Sequence, residues 1–441
     1  MPPLENRNRR HALLFILAAF IAWSLAVRTG DRLLYQVAYV ISGAFIMALA
    51  LAWLQVRWLT LTRRPRTRRI QVGHMFEEQV TLRNRSLLPK WWVEVHDAST
   101  LPLHRVSRIV MGLRPRAAFR WYVRTLVLMR GVYRLGPVRL VSSDPFGLFT
   151  FVRDIPEHMS VVVYPLTLPL PFFPLPEGRL PGGTRIHRRT HYLTTNVAGV
   201  REYQPGDTWS RIHWPTTARV GRLMSKEFEL DPYADVWCVL DMYEEVYTGT
   251  LWTEEMLIAT PGVLRLGRKR TLLPPHSAEY AIAAAASVGD YVLRHQRLLG
   301  FVTYDTKRLV IYPDRGEKHR HRFLETLALL HVGGRIPLAR VLSMEMNLFP
   351  RNSTLVVITG DWTPRWVLAL REIRRRGIHP IAIVVDNSTF GPLPAPEEVI
   401  HHLAQAHIPA YVLRRDDDVR QVLGRGSFPA YSPLVTRSMG T

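Results

Sequence analysis

The sequence predicts a multidomain chain: a hairpin of two transmembrane helices, an antiparallel β-sandwich-like module, and an α/β doubly wound domain. Three observations predict this order. Two uncharged apolar stretches open the chain, period-two alternation fills about residues 70–164, and strand and helix patterns alternate after residue 231. At 441 residues and 47% hydrophobic composition the chain is long enough for several packed cores. The expected boundaries are 1–62 for the hairpin, 70–164 for the β module, 165–196 for a Pro-rich and basic connector, 197–230 for a dense motif, 231–424 for the α/β domain and 425–441 for a tail.

The first apolar stretch, Ala12 to Val27, reads ALLFILAAFIAWSLAV, and the second runs from Leu33 to Val56. Each approaches the ~20 residues that cross ~30 Å of hydrocarbon. His11 and Arg28 flank the first, and Trp23, Trp53 and Trp58 sit where interfacial aromatics belong. Only Arg28-Thr-Gly-Asp-Arg32 separates the stretches, so the chain must turn back on itself. A cleavable signal peptide would not be followed at once by a second, longer apolar run. Arg7, Arg9 and Arg10 precede the first span, and Arg57, Arg63, Arg64, Arg66, Arg68 and Arg69 follow the second. The positive-inside rule then expects a two-span plasma-membrane protein with both termini and the soluble domains in the cytoplasm.

The 58 Lys and Arg against 36 Asp and Glu give a net charge of +22, which attracts polyanions. Nucleic acid phosphates and the anionic inner leaflet both satisfy that attraction. The apolar spans favour membrane lipid and leave a basic nucleic-acid-binding protein as the weakest reading. Cys238 is the one cysteine, so no internal disulfide can form, in keeping with a reducing compartment.

Strand-like alternation appears in Phe76–Leu82, Trp91–Val95 and Phe119–Arg124. The segments RGVYRLGP, from Arg130 to Pro137, and DPFGLF, from Asp144 to Phe149, place Pro and Gly turns between aromatic anchors. From Pro165 to Pro181 the proline density excludes helix and internal strand. The basic run Arg185, His187, Arg188, Arg189 and His191 follows, a surface for lipid head groups, a partner or solvent.

The densest motif holds Arg201, Glu202, Tyr203, Gly206, Asp207, Arg211, His213, Trp214, Ala218, Arg219, Lys226 and Phe228. Arg201 to Tyr203 should end a strand, Pro205 and Gly206 turn the chain, and Asp207 is placed to cap a short helix. Ile212 and Trp214 are expected as apolar anchors. Arg211, Arg219, Glu202, Glu227 and Lys226 are numerous enough for a charge network. Asp207, Arg211 and His213 resemble an acid, a clamp and a base. No activated Ser or Cys nucleophile, metal-ligand cluster or glycine-rich phosphate cradle accompanies them, so no catalytic residue is assigned and the protein is expected not to be an enzyme.

The run REYQPGD, RIHW, AR and KEF from Arg201 to Phe228 resembles the signature of the domain-of-unknown-function family 58. Two amino-terminal spans, a β module with RGVYRLGP and DPFGLF, and an α/β domain after the signature extend the likeness along nearly the whole chain. The resemblance implies a von Willebrand factor A-like α/β domain and a protein partner, a MoxR-type AAA+ ATPase. The activity of such proteins is essentially unassigned.

In the α/β region, Asp235–Asp241 reads as a buried strand ending in an acid. Ser277–His295, Arg320–His331 and Pro364–Arg376 read as helices. Leu299–Tyr304, Thr354–Thr359, His379–Val385 and Ala410–Leu413 read as strands, and a possible short helix follows Asp416-Asp-Asp418. The metal site of the resembled domain uses a first-strand Asp-x-Ser-x-Ser, a later Thr and a later Asp. Here Asp241 matches, both serines are missing, Glu245 could replace a hydroxyl, and Asp361 could stand for the last acid. The expectation is a degenerate site with no resident cofactor, Mg²⁺ being the ion that would suit it. The stretch from Glu244 to Pro275, with Arg265, Arg268, Lys269 and Arg270, reads as an exposed excursion. The leading functional expectation is a membrane-anchored scaffold or interaction protein, the alternative a metal-dependent adhesion-type switch on Asp241 and Asp361.

Overall fold

The computed structural model describes residues 5–175, 197–204, 209, 212–228, 235–259 and 273–424. The basic run 185–191, the arginines and lysine of 265–270 and the tail lie outside the described residues. The chain divides into two compact units. The first holds Met1–Leu166, Thr250–Pro274 and Leu324–Leu330, and the second the remainder.

The first unit opens with α1 (Glu5–Thr29) and α2 (Arg32–Val56). The Asp31 carboxylate accepts from the Leu33 N–H at 2.9 Å and caps α2. The stretches Ala12–Thr29 and Arg32–Val56 have mean hydropathies of 2.0 and 2.2, long and apolar enough to span a membrane. Most of their large apolar side chains are exposed, unlike those of a core helix. The two helices pack as a hairpin, with Trp23 Nε1 donating to Ser42 Oγ at 3.1 Å and the Trp23 ring edge-on to Tyr35 and Tyr39.

Ten strands follow: β1 (Leu59–Pro65), β2 (Arg69–Gln71), β3 (Met75–Asn84), β4 (Lys90–Asp97), β5 (Arg108–Leu113), β6 (Ala118–Leu126), β7 (Gly131–Leu135), β8 (Val138–Ser143), β9 (Thr150–Ile155) and β10 (Met159–Tyr164). Two antiparallel sheets, β1-β3-β6 and β5-β4-β8-β9, enclose a core that includes Leu61, Val80, Val93, Trp121 and Leu140. A third sheet, β2-β10-β7, joins one parallel and one antiparallel pair. The strands begin at Leu59 rather than near residue 70. β1 pairs with β3 from Leu59 opposite Asn84 to Pro65 opposite Glu78, so Arg63 and Arg64, read as part of a basic membrane flank, lie in a sheet strand.

Arg63 shows the consequence. Its guanidinium is buried and makes a bidentate pair with Glu78 at 2.6 and 2.9 Å and a further bond to Asp97 at 2.7 Å. His104 Nε2 lies 3.1 Å from Glu78 Oε2, and its Nδ1 lies 2.9 Å from Thr125 Oγ1. Burial alone would raise the Glu78 carboxyl and lower the Arg63 guanidinium. The His104 and Arg63 contacts outweigh it for Glu78, holding it below its ordinary value, and the two carboxylates raise Arg63.

RGVYRLGP forms β7 and the turn after it, where Gly136 has φ +86° and a Cβ would come 2.7 Å from the Glu157 carbonyl oxygen. DPFGLF is the turn between β8 and β9. After β10, residues Pro165 to Leu175 carry neither helix nor strand, as the prolines require.

The second unit contains β11 (Val197–Glu202), α3 (Trp214–Val220), β12 (Met224–Phe228) and a six-stranded sheet. The sheet strands are β13 (Val236–Leu240), β14 (Leu299–Tyr304), β15 (Arg308–Asp314), β16 (Thr354–Thr359), β17 (His379–Val385) and β18 (Ala410–Leu413), in the order β15-β14-β13-β16-β17-β18. All neighbours are parallel except β14 and β15, so the sheet is mixed rather than wholly parallel. The reason is connection length: Asp305, Thr306 and Lys307 can close a hairpin, whereas a parallel return needs a crossover of a dozen residues or more.

Helices cover both faces. α4 (Ser277–Arg294) lies across β13, β14, β16 and β17, its alanines from Ala281 to Ala286 allowing close approach. α5 (Glu317–Leu329) sends Phe323 edge-on to Phe301 of β14. α6 (Leu338–Glu345), α7 (Arg365–Arg375) and α8 (Glu397–Gln405) bury Leu342, Trp366, Leu370 and Leu403 against Val239, Val357 and Val384. α9 (Val419–Gly424) follows the expected acidic triplet. Between β13 and α4 the expected excursion includes a 3-10 turn, Glu244–Val246, and a short helix, Glu254–Ala259.

Candidate functional site

The dense motif builds a small β hairpin with a helix in its connection. β11 and β12 pair antiparallel from Val197 opposite Phe228 to Glu202 opposite Met224, which sets Lys226 across from Val200. Tyr203 N–H donates to the Leu223 carbonyl at 2.9 Å and His213 N–H to the Met224 carbonyl at 2.8 Å, tying both ends of the connection to β12. His213 caps α3: its Nδ1 accepts from Thr216 N–H at 3.3 Å and lies 2.7 Å from Thr216 Oγ1. Gly221 ends the helix at φ +71°, a left-handed conformation that suits glycine.

Gly206, Asp207 and Arg211 lie outside the described residues, so the expected Asp207 cap and the acid, clamp and base grouping fall there too. Ile212 is 2% exposed and is the anchor the sequence implied. Trp214 is not: it is 60% exposed, because α3 buries none of its residues. Trp209, 68% exposed, leans on Tyr203 with ring centroids 6.3 Å apart. Of the expected charge network, Glu202 lies 3.7 Å from Arg222, both solvent-exposed, while Arg211 and the Glu227 side chain lie outside what is described. Ala218 and Arg219 lie exposed on α3, and Arg201 donates to the Glu202 carbonyl at 3.1 Å.

The second cluster lies at the carboxyl end of the six-stranded sheet, where β13 and β16 run side by side. Asp241 follows β13 directly and is buried. Its Oδ2 accepts from the Thr359 hydroxyl at 2.7 Å, its Oδ1 from the Tyr243 N–H at 3.0 Å, and its carbonyl from the Tyr247 hydroxyl at 2.7 Å. The Thr359 oxygen in turn accepts from the Asp361 N–H at 2.9 Å, and Asp361 Oδ1 accepts from the Thr363 N–H at 2.8 Å. Asn387, after β17, donates to the Val246 and Gly360 carbonyls at 2.6 Å each. Burial pushes the Asp241 carboxyl up to about 7; its hydrogen bonds from Thr359 and Tyr243 oppose the rise and the charge of Asp361 adds to it. Asp361 is also raised, by burial.

The structure therefore brings Asp241 and Asp361 together through Thr359. Glu245 is exposed, and its bond with the Tyr243 hydroxyl is the main cause of that phenol's raised pKa. Among the described residues no group of three or more His, Cys, Asp or Glu is arranged to hold a metal ion. Both Asp241 carboxylate oxygens already accept a hydrogen bond, from Thr359 and Tyr243, and Glu245 points to solvent, a donor set that suits Mg²⁺ poorly. The sequence reading passed over Thr359 as a strand end. Its place two residues before Asp361, at the carboxyl end of a buried strand, was the available signal. Asn387 left none.

Residues 199–264 match the family described as protein of unknown function DUF58. The uncharacterized protein YeaD of Bacillus subtilis is 22% identical over 372 residues, covering 82% of this chain and 84% of its own. The uncharacterized protein Rv1480 of Mycobacterium tuberculosis is 28% identical over 181 residues, 40% of this chain and 50% of that one. The chain thus spans about half the length of the mycobacterial relative. Among solved structures, the pilus adhesin SpaC of Lactobacillus rhamnosus GG matches 45% of this chain and 30% of its own at 7% identity and a TM-score of 0.28. Such a score carries no argument about this fold. The family match thus falls on the hairpin motif, while the likeness to YeaD runs along most of the chain.

Proposed function

We propose that this protein is a membrane-anchored, non-catalytic scaffold whose two spans hold a von Willebrand factor A-like domain on the cytoplasmic side for a protein partner, a MoxR-type AAA+ ATPase. The observation that carries the reading is the exposure of Trp209 and Trp214 within the family-matched segment. Burying tryptophan is strongly favourable, and exposed tryptophan side by side with a capped, otherwise unburied helix is the kind of anchor that protein interfaces use. The von Willebrand factor A-like assignment draws on the strand order and on Asp241 and Asp361 at adjacent strand ends. The non-catalytic assignment draws on how the polar groups are spent: both Asp241 oxygens are occupied by the fold, and burial pushes the Cys238 thiol up to about 12, far from nucleophilic.

The test is a pull-down of the tagged full chain from detergent-solubilised membranes. Recovery of an AAA+ ATPase, lost in a Trp209→Ala, Trp214→Ala double variant, supports the reading. Recovery of no ATPase with the unaltered chain contradicts it. The convergence of Asp241, Thr359 and Asp361 favours a second reading, a metal-dependent binding switch, which a divalent-ion titration separates from the first.

A further inference from the structure

One turn of the β module touches α2 far from its end. The Phe149 ring, at the close of the β8–β9 turn, packs edge-on against Phe45 with centroids 5.1 Å apart. Phe45 lies about 16 Å along the helix from Val56 and about 20 Å from Arg32. Nearer the end, Lys90 Nζ donates to the Leu54 carbonyl, Trp91 N–H donates to Gln55 Oε1 at 3.0 Å, and Arg85 N–H donates to the Trp58 carbonyl at 2.9 Å. If every part of α2 that contacts the β module stood in water, only about 20 Å of helix would remain to cross ~30 Å of hydrocarbon. The Phe45 level must therefore lie within the apolar layer, and the turn that touches it lies there too.

The chemistry of the turn suits that depth. Phe146 is 59% exposed at its tip. Open backbone donors are costly in hydrocarbon, and four of the N–H groups in this turn, those of Asp144, Phe146, Gly147 and Phe149, are satisfied within it. Buried Asp144 accepts from the N–H groups of Phe146 at 2.8 Å and Phe149 at 2.6 Å. Its own N–H donates to the Phe149 carbonyl at 3.2 Å, and Gly147 N–H donates to the Asp144 carbonyl at 3.1 Å. Pro145 has no N–H to satisfy.

A second turn lies at the helix end, at the level of Trp58. Leu87 is 71% exposed, and Arg85, Arg114 and Arg116 are exposed around it. Arg116 N–H donates to the Ser86 carbonyl at 3.2 Å and Asn84 Nδ2 to the Arg114 carbonyl at 3.2 Å, which holds the two loops together. Apolar tips collared by arginine match the boundary between acyl chains and anionic head groups.

We propose that the Asp144–Phe149 turn is inserted into the bilayer beside α2, with Leu87 and its arginine collar at head-group level, so that the β module is seated in the lipid rather than suspended above it. The proposal rests on the reading of α2 as a span. The test uses the full chain in liposomes of phosphatidylcholine and phosphatidylglycerol, carrying a fluorophore on Phe146→Cys, Leu87→Cys, Ile46→Cys or Tyr122→Cys. Cys238 is buried and stays unlabelled. Ile46 is on the exposed face of α2 and Tyr122 on the exposed face of β6. The expected result is that brominated phospholipid quenches Ile46, Phe146 and Leu87 but not Tyr122. Quenching of Ile46 with Phe146 still open to an aqueous quencher overturns the insertion and leaves the span standing. If Ile46 is also open to the aqueous quencher, the span and the insertion fall together.

Discussion

The Thr359 hydroxyl donates to Asp241 Oδ2 at 2.7 Å and joins the carboxyl ends of two neighbouring strands through a buried acid. Removing the hydroxyl leaves that acid short of a partner. Thr359→Val should destabilise the protein by about 1–3 kcal/mol, with Thr359→Ser largely restoring it, as read by denaturant unfolding of the solubilised chain. The same site sets a pH dependence. Because burial pushes Asp241 up to about 7, the folded form holds a proton that the unfolded chain releases at its ordinary, lower value. Stability from this group is full under acid conditions and falls as the pH rises towards about 7. Asp241→Asn should flatten the difference between melting at pH 5 and pH 8, and an unchanged slope would contradict the burial of that acid.

The Arg63, Glu78, Asp97 and His104 cluster behaves in the opposite sense. Glu78 is held below its ordinary value, so its contribution is present near neutrality and is lost as the pH falls through its folded value. Arg63→Ala strands two buried carboxylates and should cost about 3–5 kcal/mol. Glu78→Gln should cost less and weaken the acid sensitivity of the β module, followed by near-ultraviolet circular dichroism.

Ile212 and Trp214 separate folding from binding. Ile212→Ala should destabilise the motif by about 2–5 kcal/mol, because it opens a cavity in a site that is nearly closed to solvent. Trp214→Ala should leave the melting temperature unchanged while reducing recovery of the partner. A fall in melting temperature as large as that of Ile212→Ala would show that Trp214 is structural.

Titration with Mg²⁺ or Mn²⁺ should give no saturable heat and no shift in melting, because Glu245 is exposed and Asp241 is engaged by Thr359 and Tyr243. Saturable heat abolished by Asp241→Asn would instead establish the metal-dependent switch.

What the sequence disclosed follows from how strongly each segment is patterned. The unbroken apolar runs Val236–Leu240 and Thr354–Thr359 could only be buried strands, and the alanine-rich run in Ser277–Arg294 could only be a buried helix. The edge strand Arg308–Asp314 escaped because charge at both ends hides a half-buried strand, and Leu338–Glu345 because eight residues show too little of a helical period. Leu59–Pro65 was masked by its arginines, which read as a membrane flank until Arg63 is seen among Glu78, Asp97 and His104. At the candidate site Asp241 and Asp361 were legible as acids at strand ends. The link between them was not, since a threonine ending a β-branched strand carries no distinguishing pattern. Trp214 failed for the reverse reason: an apolar side chain predicts burial, and nothing local reveals that its helix covers no core.

The most direct test of the whole account is topology. Full-length chains fused after Thr441 to green fluorescent protein or to alkaline phosphatase should be fluorescent with the first and inactive with the second, and both should remain with the membrane after alkaline washing. An active phosphatase with a dark fluorescent fusion would place the domains outside the cytoplasm and contradict the account, as would release of the chain by the wash.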